Sequence, residues 1–403
     1  MKPGWQKKTL AEVCQIRPPK SEAREKLAQD AMVSFAPMED LGIDRKFLNP
    51  TQQKPLASVA GSYTYFADGD VLLAKITPCF ENGKLGIAKD LNNGIGFGSS
   101  EFVVFRPCDD LDCEFLYYYL SRDDFRREGA GRMGGAVGQQ RVPKEFVESY
   151  PIPLPPLNEQ QRIVGILDEA FECIATAKAN AEKNLQNARN IFESHLHSVF
   201  AQRGNEWVDK RLGDVVTRLT NGYVGPTRNI YIESGVPYLL ARHVKNNRLA
   251  FDGKTFISAE FNRKNKKSML KAGDVLLVQS GHIGHSAVVT EEHEGHNCHA
   301  MIVISPVRDV VTGPFLSLYF NSPEMRQRFE EIRSGSTVPH LTCRAVKELT
   351  ISLPDLPVQQ RLVDHSQEMQ AETQRLETIY QRKLDALEAL KKSLLHQAFT
   401  GEL

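Results

Sequence analysis

Amide, hydroxyl and cationic side chains are concentrated in two glycine-containing segments of this 403-residue chain. Residues 132–141 contain two arginines and two neighbouring glutamines, and residues 334–340 contain serine, threonine and histidine. Such side chains read base edges in DNA, since a glutamine pairs with adenine and an arginine with guanine. The two segments therefore predict flexible loops that contact DNA bases.

Basic residues are clustered locally, although 50 Lys and Arg balance 50 Asp and Glu over the whole chain. Residues 242–271 hold nine Lys or Arg against two acids, and residues 126–144 hold five against one. A solvated lysine-rich face is the alternative interpretation, above all for residues 263–267. Two basic stretches, one in each half of the chain, favour contacts to phosphates, which supply the sequence-independent part of DNA binding.

From these patterns we predict a set of DNA-contacting side chains in each half. In the first half they are Lys75, Asn82, Lys84, Ser99, Ser100, Arg132, Gln139, Gln140 and Arg141. In the second half they are Arg228, Arg242, His243, Lys245, Lys266, Gln279, Ser280, His282, His285, Ser336, Thr337 and His340.

A histidine-rich stretch, residues 282–299, raises the question of zinc. Its donors are His282, His285, His293, His296, Cys298 and His299, and imidazole and thiolate are preferred zinc ligands. The corresponding residues of the first half, 78–86 and 95–98, contain no histidine. We therefore predict no metal ligand and favour loop histidines that touch phosphates or base edges, with a zinc site in one half as the open alternative.

Motifs of nucleotide-binding loops, of α/β-hydrolase nucleophiles and of zinc-protease helices do not occur in the sequence. We accordingly predict neither a catalytic residue nor a cofactor held by this chain. Seven cysteines without a C-x-x-C pair argue against a disulfide framework.

The elements that must position these residues come in two copies. Trp5, Leu10 and Val13 return as Trp207, Leu212 and Val215, and further matches follow along both halves. The run Gly-Asp-Val-Leu-Leu at 69–73 returns at 273–277, and the apolar run at 102–105 returns at 301–304. The shifting offset indicates two domains that share a fold but differ in their loops. The β-rich runs 71–73, 102–105, 275–278 and 301–304 alternate with turn residues.

Each domain is followed by a helical pattern, and the two patterns match at a constant offset of 199. Apolar positions spaced by threes and fours run along the first as Ile163, Leu167, Ala170, Ile174, Ala177, Ala181, Leu185, Ala188, Phe192, Leu196 and Val199, and along the second as Leu362, Met369, Leu376, Ile379, Leu384, Leu387, Leu390, Leu394 and Ala398. Helices of about 43 residues are roughly 64 Å long. Two of equal length predict an antiparallel coiled coil, with Asn158 as N-cap of the first, Asp355 as N-cap of the second, and Gly204 and Gly401 beyond their ends.

We predict a mixed α/β (α+β) fold with two homologous globular domains separated by two long helices, in a pseudo-two-fold symmetric arrangement. The predicted boundaries are 1–157 and 202–356 for the domains, and 158–201 and 357–403 for the helical regions. The content of 41% hydrophobic and 25% charged residues is that of a soluble globular protein. Without a membrane span, or a signal-peptide core within residues 1–30, we expect a cytoplasmic protein that does not bind membranes.

Three segments give the pattern a family resemblance: 152–164, which reads IPLPPLNEQQRIV, 96–102, which reads GFGSSEF, and the C-terminal AFTGEL. With them, the whole chain resembles the specificity (S) subunit of type I restriction-modification systems. The resemblance implies two target-recognition domains that bind double-stranded DNA with a bipartite target and catalyse nothing. It implies two methyltransferase (M) subunits with S-adenosylmethionine, and restriction (R) motor-nuclease subunits with ATP and Mg, as partners. At 357–358, Pro-Val replaces the Asn-Glu of 158–159.

Two other functions remain alternatives at this point. One is a zinc-dependent DNA-acting enzyme that uses the histidines of 282–299, against which the lack of those residues in the first half speaks. The other is a coiled-coil scaffold whose domains bind protein, which would lack the steep salt dependence of DNA binding.

Overall fold

The computed structural model describes residues 4–136, 138–201, 206–245, 247–335 and 339–403. The chain forms two compact units, a first unit of Met1–Ala181 with Arg382–Leu403, and a second unit of Glu182–Gln381. Each unit therefore contains one globular domain and one segment of each long helix. Within the described residues, no helix has the length and apolar character needed to cross a membrane.

The first ten strands and seven α-helices lie along residues 6–201. The strands are β1 (Gln6–Thr9), β2 (Cys14–Ile16), β3 (Met32–Ala36), β4 (Gln52–Pro55), β5 (Thr64–Ala67), β6 (Val71–Ala74), β7 (Leu85–Ile87), β8 (Ile95–Gly98), β9 (Phe102–Pro107) and β10 (Pro151–Leu154). The helices are α1 (Leu10–Val13), α2 (Ser21–Lys26), α3 (Leu56–Val59), α4 (Cys113–Leu120), α5 (Asp123–Ala130), α6 (Lys144–Ser149) and α7 (Leu157–Ala201).

The remaining elements follow along residues 208–400. The strands are β11 (Val208–Arg211), β12 (Val216–Asn221), β13 (Tyr231–Ile232), β14 (Val236–Leu239), β15 (Val244–Lys245), β16 (Arg248–Leu249), β17 (Phe256–Ile257), β18 (Val275–Val278), β19 (Ser286–Val288), β20 (Asn297–Cys298), β21 (Met301–Pro306) and β22 (Thr350–Leu353). The helices are α8 (Ala259–Lys264), α9 (Gly313–Phe320), α10 (Pro323–Ile332), α11 (Cys343–Glu348) and α12 (Leu356–Thr400).

Both units contain the same kinds of sheet, which confirms the predicted repeat and the mixed fold class, although the mixed sheets differ in where their fourth strand pairs. In the first unit an antiparallel sheet has the order β2-β9-β6-β7, a mixed sheet has the order β4-β3-β8-β5, and β1 pairs with β10. In the second unit the corresponding groups are β12-β21-β18-β19, β13-β17-β14-β20 and β11-β22. Each mixed sheet contains one parallel pair, the central strands β3 and β8 in the first unit and β14 with the edge strand β20 in the second.

The repeated Gly-Asp-Val-Leu-Leu run forms the turn into the central strand of each antiparallel sheet. Gly69 and Gly273 have φ of +85° and +88°, a backbone conformation that suits glycine. The aspartate after each glycine is buried and receives a backbone N–H from three residues before it, at 2.7 Å for Asp70 and 2.8 Å for Asp274. An arginine of the same sheet pairs with each carboxylate, Arg106 of β9 with Asp70 and Arg218 of β12 with Asp274. The motif recurs because it fixes where this strand begins.

The long helices complete the two hydrophobic cores. In the first unit Leu167 and Phe399 are buried in the same core as α4, with the Phe399 ring 5.0 Å from that of Phe115. In the second unit Phe200 and Val363 are buried in the core that contains α9. Each domain therefore depends on both long helices for its core.

Within each unit the two helix segments run antiparallel, as predicted. In the first unit Arg162 donates to the carbonyl of Leu403 at 2.7 Å, and Lys391 lies 5.6 Å from the ring centre of Phe171. In the second unit Arg189 of α7 lies 3.7 Å from Glu377 of α12. His195, which is six residues later in α7, contacts Ser366, which is earlier in α12.

The predicted apolar stripe of α7 is confirmed, but that of α12 is partly wrong. Ile379 and Leu390 are 44% and 46% exposed. In the second unit α12 instead buries Ser366, Gln370 and Thr373, small or polar side chains on a neighbouring stripe. Apolar side chains therefore remain uncovered on this helix.

The helix termini show which cap predictions were right. Asp355 caps α12, because its Oδ1 accepts the backbone N–H of Val358 at 2.9 Å. The predicted N-cap at Asn158 is wrong, because α7 begins at Leu157 and Asn158 lies inside its first turn. Gly401, at φ +85°, follows the last residue of α12 as expected. Gly204 lies outside the described residues.

A buried glutamine anchors the start of each long helix to its domain. Gln160 Oε1 accepts the backbone N–H of Asp112 at 2.9 Å, and its Nε2 donates to the carbonyls of Asp110 and Pro155, both at 2.8 Å. Gln359 repeats this arrangement, accepting from Thr312 at 3.0 Å. Because Asp112 and Thr312 are the N-caps of α4 and α9, each glutamine ties a long helix to the helix that lines the core.

Candidate nucleic-acid interface

In the first unit the predicted base-reading segment returns to the end of a central strand. Arg141 forms isolated β-bridges with Ile76, two residues beyond β6, and with Gly134. The backbone N–H of Val142 donates to the carbonyl of Lys75 at 2.9 Å. The loop of residues 134–141 is thus closed by backbone pairing at its base, and we call it the first loop.

The second unit contains the same arrangement on different residues. His340 forms isolated bridges with Ser280, two residues beyond β18, and with Ser334. The backbone N–H of Leu341 donates to the carbonyl of Gln279 at 2.8 Å. We call residues 334–340 the second loop. His340 therefore takes the place of Arg141, and Gln279 that of Lys75.

Charged and polar side chains converge at the base of the first loop. Arg141 donates from Nε and Nη2 to the two carboxylate oxygens of Glu101, both at 2.9 Å. Lys75 Nζ donates to the carbonyl of Ser100 at 2.9 Å and lies 3.7 Å from Glu101. The hydrogen bonds from Arg141 keep the pKa of Glu101 below its ordinary value, whereas partial burial lowers the pKa of Lys75.

The structure brings most of the residues predicted for the first half to this region or next to it. The carbonyl of Gln140 accepts the backbone N–H of Thr77 at 3.0 Å, and the backbone N–H of Gln140 donates to the hydroxyl of Thr77 at 3.0 Å. Gln139, Ser100 and Asn82 are exposed, and Ser99 is half-buried beside Ser100. Arg132 is exposed, with its guanidinium 5.2 Å from the ring centre of Phe146. Lys84 is directed elsewhere, since its Nζ donates to the carbonyl of Met38 at 2.7 Å.

Two predicted histidines of the second half lie on the hairpin between β18 and β19. The His282 ring is exposed and its centre is 5.5 Å from that of His285. Burial, together with the nearby charge of Arg326, lowers the pKa of His285 to about 4. His285 is therefore a neutral hydrogen-bonding group at physiological pH, and not a cation for phosphate.

The predicted basic residues of the second half do not form one cluster of free cations. Arg242 is paired with Asp252, with Nε and Oδ2 3.1 Å apart, while Arg228, Lys245 and Lys266 are exposed. The structure does not bring His243 to the surface: the residue is 1% exposed, and its Nδ1 accepts the backbone N–H of Leu240. Ser336 and Thr337 lie outside the described residues.

The histidines of 282–299 are divided among separate contacts. His293 lies 2.7 Å from the hydroxyl of Thr290, and its ring centre is 5.6 Å from that of His296. Cys298 is fully buried, and burial raises the pKa of its thiol to about 12. Over the described ranges, no three His, Cys, Asp or Glu side chains are placed to hold a metal ion.

Glu101 is the residue at this site that the sequence did not suggest. An isolated acid directly before an apolar run has no periodicity, and its partner Arg141 lies 40 residues away. The available signals were its position directly after Ser99 and Ser100, which were predicted, and its place in the segment 96–102 that supports the family resemblance.

Known proteins share this fold and sequence pattern. The family described as type I restriction modification DNA specificity domain matches residues 2–187 and 204–383. The specificity subunit of the type I restriction enzyme EcoEI from Escherichia coli is 40% identical over 163 residues, which cover 40% of this chain and 27% of that relative. The match thus spans about a quarter of the relative's length.

Two solved structures resemble the whole chain. One comes from work on complex assembly and conformational transition of the type I R-M system, with a TM-score of 0.80, 21% identity, and coverage of 100% of this chain and 99% of the other. The other is the HsdS subunit from Thermoanaerobacter tengcongensis, with a TM-score of 0.66, 21% identity, and coverage of 100% and 98%. At this identity they support the fold.

Proposed function

Because this chain belongs to the family of type I restriction modification DNA specificity domains, we propose that it reads a bipartite DNA sequence, one half-site with each unit, and catalyses no reaction itself. The observation that carries the proposal is the loop closed on the end of a central strand in both units. One loop carries glutamines and arginine at its base and the other histidine, so the two units present different hydrogen-bonding groups from the same framework. Such a pair suits two different half-sites.

The exposed cations supply the sequence-independent part of binding. Lys266, Lys245 and Arg228 are exposed in the second unit and Arg132 in the first. The chain has no net charge, so attraction to phosphates must be local and must weaken as salt rises.

The proposal includes partner proteins. Methyltransferase subunits would bind S-adenosylmethionine and modify the target, and restriction subunits would use ATP and Mg. The long helices leave Ile191, Ile379 and Leu390 exposed. We propose that methyltransferase subunits dock on these helices, and that the complex acts in the cytoplasm.

The test uses the full chain, alone and with its methyltransferase subunits, and a pool of randomised DNA duplexes. We expect selection to enrich two short motifs separated by a fixed spacer, with an affinity that falls steeply with salt. Methyl transfer should require the methyltransferase subunits. Failure of both preparations to enrich a motif, or methyl transfer by the chain alone with S-adenosylmethionine, would contradict the proposal.

A further inference from the structure

The carboxylate of Glu101 holds the arginine at the base of the first loop in one orientation. Glu101 immediately precedes β9 and its side chain is 22% exposed. It accepts two parallel N–H bonds from Arg141, from Nε and Nη2, both at 2.9 Å. A bidentate arginine–carboxylate pair fixes the plane of the guanidinium as well as its position.

The N–H groups of Arg141 can be counted. A guanidinium has five, one on Nε and two on each terminal nitrogen. Glu101 takes one from Nε and one from Nη2, and the carbonyl of Gln139 takes one from Nη1 at 3.1 Å. Among the contacts of the described residues, one N–H on each terminal nitrogen is left over. Two such groups form the fork that matches the O6 and N7 acceptors of guanine.

The site keeps a positive character despite its acid. Lys75 Nζ lies 3.7 Å from the carboxylate of Glu101, which also pairs with Arg141. Two cations therefore surround one carboxylate. Lys75 is also fixed, by its 2.9 Å bond to the carbonyl of Ser100. The side chain of Arg141 is 45% exposed. An oriented and accessible cation of this kind can approach the acceptor edge of a base without repulsion.

The second unit has no equivalent of this pair at the matching positions. His340 occupies the place of Arg141 in the bridge pattern, and Ala300 is the residue immediately before β21, as Glu101 is before β9. The arrangement therefore belongs to one unit and to one half-site.

We propose that Glu101 determines specificity as a positioning residue: it holds Arg141 so that the remaining N–H fork reads a guanine in the major groove of the first half-site. The inference rests on the proposed function. It adds the base that is read, which is one guanine, and the residue that determines the preference for that base, which is Glu101. Glu101 itself need not touch the base.

The experiment selects bound duplexes from a randomised pool with the full chain, together with its methyltransferase subunits, and sequences them. Glu101→Gln keeps the size of the side chain but replaces one acceptor oxygen by a donor, so it breaks the bidentate pair. We expect the preference for guanine at one base pair to fall about tenfold, with the other positions and the second half-site unchanged. The matched control is Glu25→Gln, on the exposed face of α2, which removes the same charge and should leave the guanine preference intact.

A second variant separates positioning from loop stability. Exchanging the two residues, Glu101→Arg with Arg141→Glu, keeps an ion pair but moves the cation from position 141 in the first loop to position 101 before β9. If the pair serves only to hold the loop, the exchange restores the guanine preference and overturns the proposal. If Arg141 reads guanine from its own position, the preference stays lost.

The remaining outcomes are equally decisive. Unchanged guanine preference in Glu101→Gln, or a wild-type first half-site without guanine, overturns this inference while the proposed function stands. A wild-type complex that enriches no motif overturns the proposed function and this inference with it.

Discussion

Arg141 and Lys266 illustrate two different ways in which a cation contributes to binding. Arg141 is held by Glu101 and by backbone bridges at the end of a strand, so its donors point in a defined direction. Lys266 is exposed in a short turn after α8. A fixed fork can discriminate between bases, whereas a mobile ammonium group contributes mainly charge.

Replacing these two residues should therefore have different consequences. Arg141→Ala, and Gln140→Ala beside it, should reduce discrimination at a base pair of the first half-site by about 1–3 kcal/mol. Lys266→Ala should weaken binding to all duplexes alike and reduce the dependence on salt. Competition between cognate and singly mismatched duplexes at several salt concentrations measures both effects. Unchanged discrimination between cognate and mismatched duplexes in the Arg141 and Gln140 variants would remove the first loop from the reading surface.

His285 should make the second unit less stable in mild acid. Burial lowers its pKa from 6.5 to about 4 in the folded chain. Between these values the unfolded chain binds a proton that the folded chain does not, so stability decreases as the pH falls through this window. His285→Gln cannot take up that proton and should lose less stability from about pH 8 to about pH 5. Urea unfolding followed through Trp207 measures the difference, and parallel losses in both proteins would contradict the assignment.

At the scale of elements, the buried glutamines explain why the start of each long helix is repeated so closely. Gln160 satisfies one backbone N–H and two carbonyls that belong to the N-terminus of α4 and the turn into α7. Buried backbone groups that lose their partner cost about 1–3 kcal/mol. A glutamine that makes all three bonds is difficult to replace by any other side chain.

Gln160→Ala should accordingly destabilise the first unit by about 1–3 kcal/mol, while Gln161→Ala, at the exposed neighbouring position, should change little. The two tryptophans allow the units to be observed separately, because Trp5 lies in the core of the first unit and Trp207 packs against that of the second. In a Trp207→Phe background, denaturant unfolding followed by fluorescence reports the first unit through Trp5. Equal stability of the two alanine variants would show that Gln160 does not anchor the helix.

The elements that repeat or follow a period were predictable from the sequence. Both long helices were predicted to within a residue at their N-termini, and the strand runs 71–73 and 275–278 are the central strands β6 and β18. Asn158 was misjudged because Pro156, the residue that aligns with Asp355, precedes the helix without a capping side chain. Ile379 and Leu390 were misjudged because α12 packs through small and polar side chains, which hydrophobic periodicity does not detect.

The candidate site was less predictable because long-range pairing creates it. The bridge of Ile76 to Arg141 joins residues 65 positions apart, and nothing local in the sequence indicates it. Glu101 has meaning only through that bridge. Residue type alone likewise suggested His243 as a DNA contact, although its ring is buried beside Asp252.

At the scale of the whole molecule, each long helix is divided between the two units, and the first unit is built from two separate pieces of chain. The first unit takes Arg382–Leu403 from the end of α12, and Phe399 from that segment stacks edge-on against Phe115 and Tyr119. The second unit takes the end of α7, where Phe200 packs against Phe315 and Tyr319. Because each core needs both helices, a change in helix length must be transmitted to the domains.

This dependence leads to a prediction about the target. If the long helices set the separation of the half-sites, inserting four residues after Ala181, where the two units divide, adds ~6 Å to α7. At ~3.4 Å per base pair, the preferred spacer should become longer by one or two pairs. The half-site sequences should stay the same, since the loops that read them are untouched.

A compensating insertion after Tyr380, the residue that aligns with Ala181 in the repeat, keeps the two helices matched, because four added residues shift a seven-residue pattern. The measurement is methylation by the reconstituted complex of a set of targets whose spacers differ one base pair at a time. The matched control carries the same four residues in the exposed loop between β16 and β17, around Gly253, where they leave both helices unchanged. A doubly inserted protein that still prefers the original spacer would show that the helices do not set the spacing, and that partner subunits must position the domains instead.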